Sequence, residues 1–458
     1  MHLQLTRVSS PSQPNAGNAE RQPALGRFCA LAAFCILFSA ATIAWQFSPR
    51  GYLSNEDSWA PMRAALNLLG TPEQDRLYET LFFARHVKMQ YPPTSLLPLE
   101  VLDGLGAGSP RVLNGLNAAF VLLNAGFLGL LADMMFAPFR GIRPVSRAAI
   151  VALGAASGLA FYPVSRGLQL GQIQVWLDLA FTATCLLVAR GRMAAGGAVM
   201  GFASLIKPQF LPLLLSAALL RQWRFAAAFA LLAGTLGLVS VWRFGWHNHL
   251  AYLDVLRFIG RHGEAFYSNN SVNGVVNRWL GNGSDLAWTA DGFAPFHPVV
   301  FAATSIAAVA FMAVPLLVRP DRNHRPSILL HLCFATLCFV MASPVAWEHH
   351  YGILPPMFIV TSCCLASRPP GVQSYARFGI LAAAWVFAAS QFNGLAGRLS
   401  GTVLNVFQAT HFIGALLLLL MMASLLRESS TRKPLLFRQP RDRADRVCLA
   451  ARTSLSDL

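Results

Sequence analysis

The sequence predicts an all-α polytopic integral membrane protein of roughly 10–12 transmembrane helices, with its polar loops gathered on one face. Three observations predict it. The 458 residues are 55% hydrophobic and 12% charged, whereas an ordinary soluble protein carries about 25% charged residues. Apolar runs of about the 20 residues that a helical span needs recur along the chain. The connectors between alternate runs are rich in arginine, as cytoplasmic loops are under the positive-inside rule. The net charge of +16 is therefore a signature of topology, and no nucleic-acid partner is expected.

In chain order, residues 1–27 form a basic cytoplasmic tail, and the run 28–47 follows as a retained signal-anchor; "TIA" at Thr42 to Ala44 would be the rival cleavage signal. Further spans are placed near 112–136, 148–163, 171–190, 225–242, 298–318, 327–342, 351–367, 377–393 and 406–426. "FRGIRPVSR" (Phe139 to Arg147), "RGR" (Arg190 to Arg192), "RQWR" (Arg221 to Arg224), "RPDRNHR" (Arg319 to Arg325) and the tail from Arg427 mark the cytoplasmic face. With "RGR" and "RQWR" on one face, the run 194–219 has to enter and return, yet it is too short for two full spans. A broken or re-entrant hairpin turning at "IKPQF" is predicted, because Pro208 removes a helical hydrogen bond. Such irregular backbone is tolerated at membrane depth where it lines a protein cavity. The same counting puts 48–111, Pro163 to Leu170, 243–297, Ser343 to His350 and 394–405 on the external face. The tail 427–458 reads as basic, cytoplasmic and disordered. The eight cysteines are scattered and indicate neither a zinc site nor a disulfide framework.

The predicted external loops carry the chemistry. In the first, Ser54-Asn55-Glu56-Asp57 reads as a helix start, with Trp59, Met62, Ala65, Leu66 and Leu69 following at helical spacing. That pattern fits an amphipathic helix on the membrane surface, in which a lone Asp57 would act first as an N-cap. "MQYPPTSLLPL" (Met89 to Leu99) is an extended lead into a short apolar segment, since each proline restricts the residue before it. "QLGQIQVWLDLAF" (Gln169 to Phe181) opens a span with Gln172 and Gln174. Their amides both donate and accept, which suits sugar hydroxyls and equally suits helix-to-helix bonding. Lys207, beside the helix-breaking proline, fits an anion site or a lysine snorkelling to the interface.

"EAFYSNNSVNGVVNRWLG" (Glu264 to Gly281) is rich in asparagine, with Tyr267 and Trp279. Its amides and aromatic faces serve turns or a carbohydrate surface, with Arg278 as the natural cation. "SPVAWEHHYGILPP" (Ser343 to Pro356) sets Trp347 at interface depth beside Glu348, His349 and His350. No H-E-x-x-H spacing exists, so the histidines read as hydrogen-bond and charge donors to an anion rather than as metal ligands. No P-loop, Rossmann glycine motif or G-x-S-x-G elbow appears.

Several of these motifs fall in a familiar order: the acidic loop with Asp57, "YPP" at Tyr91 to Pro93, "GQIQ" at Gly171 to Gln174, "GFASLIKPQ" ending at Gln209, "NNSVNGVVNR" at Asn269 to Arg278, and "SPVAWEHH" at Ser343 to His350. Together they resemble glycosyltransferase family 87, the polyprenol-phosphate-mannose-dependent mannosyltransferases of the glycosyltransferase C superfamily, over about residues 50 to 360. The resemblance implies a fold of that type over 28–426, in the cell (inner or plasma) membrane. It implies a polyprenyl-phosphate-linked sugar donor reached on the external, periplasmic face, a glycan or glycolipid acceptor, and no nucleotide; no metal cofactor is expected from the histidine spacing. It further implies inverting transfer, with an acid of the first external loop as general base; Asp57 is that candidate and Glu56 the second. Lys207, Arg278, His349 and His350 would then bind the donor phosphate. Tyr91, Gln172, Gln174, Asn270, Asn273, Trp347 and Glu348 would line the substrate. Two departures stand out: "NED" offers two acids for one role, and "WEHH" has Glu348 where the family pattern suggests Asp or a neutral residue.

The chemistry of the residues agrees with that implication. A base must lie within hydrogen-bond reach of the acceptor hydroxyl, a departing phosphate needs cations where charge develops, and a direct displacement needs one carboxylate where a retaining route uses two. A second reading is a lipid-linked-sugar flippase or other transporter, since polar groups in membrane helices also mark transport paths. Transporters commonly show related halves; no internal repeat is seen here, and the polar loops crowd one face, which favours an enzyme. A third reading is a non-catalytic subunit of an envelope-glycan assembly complex, in which Asp57 would be dispensable.

Overall fold

A backbone that meets hydrocarbon instead of water has to bond within itself, so charge-free runs become helices. The computed structural model describes residues 16–45, 55–139, 146–322, 324–368 and 371–431. Residues 1–15, 46–54, most of "FRGIRPVSR" and 432–458 lie outside these, and with them most of both expected tails; residues 16–27 of the first are helical, as are 427–431 of the second. The first part holds α1 (Ala16–Trp45), α2 (Trp59–Leu69), α3 (Leu96–Gly104), α4 (Pro110–Met135), α5 (Arg147–Leu159), α6 (Tyr162–Gln169) and α7 (Gln174–Ala189). Next come α8 (Met193–Ile206), α9 (Pro212–Leu219), α10 (Trp223–Phe244), α11 (Trp246–His262) and α12 (Val272–Trp279). The last part holds α13 (Pro298–Leu317), α14 (Arg325–Met341), α15 (Leu354–Ala366), α16 (Val372–Ala389), α17 (Asn393–Leu399) and α18 (Thr410–Thr431). Among the described residues the only β pairing is an isolated bridge between Asn269 and Trp347.

The protein is an all-α polytopic membrane protein. Helices α4, α10, α13, α16 and α18 are each long and apolar enough to cross a membrane. The α5 and α6 pair is bent by 48° at its break and is either a broken span, which would make a sixth, or a re-entrant loop. The other expected spans are apolar helices of 10–17 residues, among them Cys29–Trp45, α7, α8 and α14. At about 1.5 Å per residue, α7, α8 and α14 reach less than a full bilayer, whereas Cys29–Trp45 is the apolar part of the longer α1.

The hairpin forms where expected. At about 1.5 Å per residue, the 14 residues of α8 rise about 21 Å, short of the roughly 30 Å hydrocarbon core. Lys207 then turns extended, Pro208–Phe210 makes a single 3-10 turn, and α9 returns. Helix α8 packs closely on α10 because Gly197 has no side chain to strike the Phe225 carbonyl; small residues serve this purpose between membrane helices.

Three loop expectations need correction. Pro163 to Leu170 is mostly helix: Phe161 is extended, α6 starts at Tyr162 after the bend, and Pro163 sits in its first turn, where its missing N–H costs nothing. The stretch 243–297 contains α11 and α12. The third concerns α2, whose apolar face is turned into the protein: Trp59, Met62, Ala65, Leu68 and Leu69 are buried in the common core. Trp59 Nε1 donates to Asn114 Oδ1 at 2.8 Å, a partner that lipid could not supply.

Further along, Lys88 and Glu264 form a buried ion pair that joins the segment before α3 to the segment after α11. Lys88 Nζ lies 5.1 Å and 4.5 Å from the ring centres of Trp288 and Phe293. Desolvation raises the Glu264 carboxyl, against the Lys88 ammonium that lowers it.

Candidate active site

Asp57 stands one residue outside the N-cap of α2, and it is not the cap. Ser58 holds that position and no side chain caps the helix. Ser58 Oγ instead donates to Gln172 Oε1 at 2.7 Å, lies 2.8 Å from the Tyr91 hydroxyl and accepts from the Ile173 backbone at 3.1 Å. The local chain is thus bent to serve a tertiary network, and the N-cap reading of Asp57 is set aside.

That network seats the acidic loop on the "GQ" motif. The Asp57 N–H donates to the Leu170 carbonyl at 3.1 Å, and Asn55 Nδ2 donates to the Gln169 carbonyl at 2.8 Å. Gly171 has φ +65°, and a side chain there would strike the Asn55 carbonyl; the left-handed turn and the close approach both demand glycine. Gln172 hydrogen-bonds the Asp57 side chain, while its backbone carbonyl accepts from Asn117 Nδ2 at 3.1 Å. Asp57 remains exposed at the surface. Even so, the protein packed round it desolvates the carboxyl and raises it above its ordinary value, opposed by the Arg166 guanidinium and the Gln172 hydrogen bond. Burial holds the Tyr91 phenol up at about 12, so it stays protonated. Glu56 turns aside to Arg63 at 3.9 Å.

A second group lies next to the first. Lys207 is buried and does not snorkel: its Nζ donates to Gln174 Oε1 at 2.7 Å. Gln174 Nε2 donates to Asp178 Oδ1 at 2.8 Å, one helical turn on along α7, where residues four apart meet. "WEHH" forms a 3-10 turn, Glu348–Ile353, against α6 and α7. Gly167 of α6 sits under His349, and Gly352 sits against Asp178. The two imidazoles meet edge to face at 4.8 Å. Burial and then Lys207 hold both well below the ordinary histidine value, with Arg166 adding to the effect at His349. They are neutral at pH 7. His350 Nδ1 has no partner.

Between the groups stands Arg166 of α6. Its Nη1 donates to Gln169 Oε1 at 2.9 Å, and its Nε lies 3.8 Å from Glu348 Oε2. Glu348 is buried and accepts from the Tyr162 hydroxyl at 3.2 Å. Sequence reasoning missed Arg166 and Asp178. A signal existed for each: an arginine in a short connector three residues before Gln169-Leu170-Gly171, and an acid inside an apolar run, which by itself marks a functional position.

Arg278, Asn270 and Asn273 belong to a different structure, the frame behind "WEHH". Arg278 Nη1 donates to the Phe266 and Asn269 carbonyls at 3.2 Å and 3.0 Å, and burial pulls its guanidinium down to about 10 against the pull of Asp285. Asn273 Oδ1 accepts from the Glu264 N–H at 3.2 Å and from Asn277 Nδ2 at 2.8 Å. The Asn270 N–H donates to the Ala346 carbonyl at 2.7 Å, and the Glu348 N–H to the Ser268 carbonyl at 3.1 Å. With the Asn269 to Trp347 bridge, these bonds fix where Trp347, Glu348 and the histidines stand.

The arrangement joins one carboxylate that can take a proton to a cationic and imidazole-rich wall that can hold an anion. The comparisons with known proteins point the same way. Over 215 residues, 46% of this chain, the sequence is 31% identical to a Mycobacterium tuberculosis protein, the polyprenol-phosphate-mannose-dependent alpha-(1-2)-phosphatidylinositol pentamannoside mannosyltransferase. The match covers 45% of that relative's own length. No solved structure matches the chain. The model of glycosyltransferase family 87 matches residues 90–344, which include Arg166, the "GQ" motif and Lys207, while Asp57 and the histidines are folded against that segment from either side of it. With more than half of its length matched, the chain belongs to glycosyltransferase family 87.

Proposed function

We propose that this protein is a hexosyltransferase that moves a sugar, mannose by its family, from a polyprenyl-phosphate donor to a hydroxyl of a glycan or glycolipid acceptor. The reaction takes place on the non-cytoplasmic face of the cell membrane and inverts the anomeric centre. The observation that carries this reading is that α6 serves both kinds of group: the Asp57 N–H is bonded to the Leu170 carbonyl at its end, Gly167 packs under His349, and Arg166 between them acts by its charge on both Asp57 and His349.

In this reading Asp57 takes the proton of the acceptor hydroxyl as its oxygen attacks the anomeric carbon. The bond from that carbon to the phosphate oxygen breaks, and the polyprenyl phosphate leaves with one more negative charge. Lys207 and the histidines meet that charge in surroundings where a fixed donor is worth more than in water. Tyr91, Gln172 and Gln174 supply hydrogen bonds around the sugar. Glu348, committed to Tyr162 and next to Arg166, is unsuited to act as a second nucleophile, which supports a single displacement. The arginine-rich connectors support the assignment of face.

The test is transfer itself. Purified protein in nanodiscs is incubated with radiolabelled polyprenyl-phosphate-mannose and a crude acceptor extract, beside Asp57→Asn. Label in a glycan or glycolipid with the wild type alone is expected. Donor that crosses the bilayer with no transfer would make the protein a flippase.

A further inference from the structure

One turn of one helix does two jobs at this site. The last turn of α6 gives the carbonyls of Gln169 and Leu170 to the Asn55–Asp57 segment, so it sets the position of the base. The same turn carries Arg166, whose Nη1 is fixed on Gln169. The guanidinium Nε makes no hydrogen bond. It lies 3.8 Å from Glu348, beyond hydrogen-bond reach, although it is enclosed. The side chain as a whole keeps 27% of its surface open. The next residue, Gly167, packs against His349, whose imidazole feels the charges of both Lys207 and Arg166.

We propose that Arg166 is a catalytic cation of the transfer: it stands between general base and donor phosphate, pairs with Asp57 before the reaction, and binds the phosphate through its free Nε as the charge moves. This rests on the transferase reading above. The charge balance gives the idea its content. Before transfer Asp57 carries one negative charge and the donor phosphodiester one. Afterwards Asp57 holds the acceptor's proton and is neutral, while the released polyprenyl phosphate carries two. No charge is lost; one unit passes from one side of the guanidinium to the other. A fixed cation between the two stabilises both ends of that shift without moving, which is the condition for preorganised electrostatic catalysis. Glu348 keeps the free Nε in place while the site is empty.

The groups that the described residues set against Asp57 are Arg166 from α6, Gln172 from the "GQ" turn and Tyr91, with the Glu56–Arg63 pair on its own segment. Of these, Arg166 is the one that lowers the Asp57 carboxyl by its charge. Removing it raises that carboxyl further, so the acidic limb of kcat/KM against pH moves to higher pH.

The experiment measures transfer from polyprenyl-phosphate-mannose by wild type, Arg166→Gln and Arg166→Lys across pH, with donor affinity and thermal unfolding in parallel. For Arg166→Gln we expect a kcat lower by about 10²- to 10³-fold, the usual loss on removing a donor to developing charge, and a limb displaced upward. Arg166→Lys restores the charge, so its limb returns toward the wild-type position while kcat recovers only in part, because an ammonium cannot grip Gln169 and a phosphate together. A wild-type limb and near-wild-type kcat in a folded Arg166→Gln would overturn the assignment of Arg166 and leave the transferase reading standing. If Arg166→Gln does not fold, Arg166→Lys decides alone: reduced kcat with a wild-type limb supports the role, and wild-type kcat ends it. No transfer by the wild type from any polyprenyl-phosphate sugar overturns the transferase reading and this one with it.

Discussion

Lys207 Nζ donates a 2.7 Å hydrogen bond to Gln174 Oε1, so the residue at the break between α8 and α9 is held by the first residue of α7. A hydrogen bond to a charged group contributes about 1.5–3 kcal/mol. If Lys207 meets the donor phosphate with similar strength, Lys207→Ala raises the donor Kd by about 10- to 100-fold. Asp178→Asn, which removes the carboxylate beneath Gln174, shifts it in the same direction by less. Binding of labelled donor to solubilised protein measures both; an unchanged affinity would return Lys207 to a packing role.

Asp57→Asn is expected to lower kcat by about 10²- to 10⁴-fold, the range that a positioned base contributes, with donor affinity retained. Glu56→Gln, at a residue turned toward Arg63, keeps wild-type rates. The base works only when ionised, so kcat/KM falls as pH falls through the Asp57 titration. Because desolvation raises that carboxyl, the limb lies above the ordinary aspartate value of about 3.9. Full activity in Asp57→Asn would move the role of base to Glu56.

The neutral state of His349 and His350 makes a prediction about protons. An anion bound beside them favours their charged forms and raises their pKa values, so donor binding takes up protons from solution. A site that gains protons on binding holds its ligand more tightly at lower pH. Titration calorimetry in buffers of different ionisation enthalpy reads the uptake directly. The double variant to alanine should bind with no uptake and transfer more slowly; wild-type kinetics in that variant would leave the pair with no role in the reaction.

Gly171→Ala tests the seat of the acidic loop. The left-handed backbone disfavours alanine by about 1–3 kcal/mol, and the added methyl displaces Asn55. We expect a lower thermal midpoint and a loss of kcat that exceeds the loss of donor affinity, because the base moves more than the phosphate wall does. A variant with wild-type kcat would show that Asp57 does not depend on this contact.

The proposed topology places Asp57 and His350 on one face and Arg190 on the other. Single cysteines at these positions, labelled by an impermeant reagent in intact cells and again after lysis, should react in that grouping. Labelling of positions 57 and 350 from opposite sides would contradict both the topology and the site.

Much of this architecture could be read from the residues alone. The broken hairpin followed from two arginine-rich connectors too close in sequence for two full spans, and "IKPQF" marked its turn. Asp57, Tyr91 and Gln172, predicted from separate loops, meet round Ser58. What was illegible depended on where chains cross. Nothing local announces that Nη1 of Arg278 is bound to carbonyls of its own loop while its Nε and Nη2 have no partner. Helix α2 shows the same limit: an apolar stripe predicts burial without saying whether lipid or protein covers it, and the answer came from Asn114 on α4. Arg166 was passed over because its eight-residue helix is too short to carry a periodic pattern.

The Lys88–Glu264 pair under Trp288 and Phe293 bears on traffic. Stripping one partner from such a buried pair costs about 3–5 kcal/mol, so the two segments it joins behave as a single leaf that seldom parts. A doorway for bulky substrates is then better sought along other edges, and for a donor that travels within the bilayer the natural approach is sideways from the lipid.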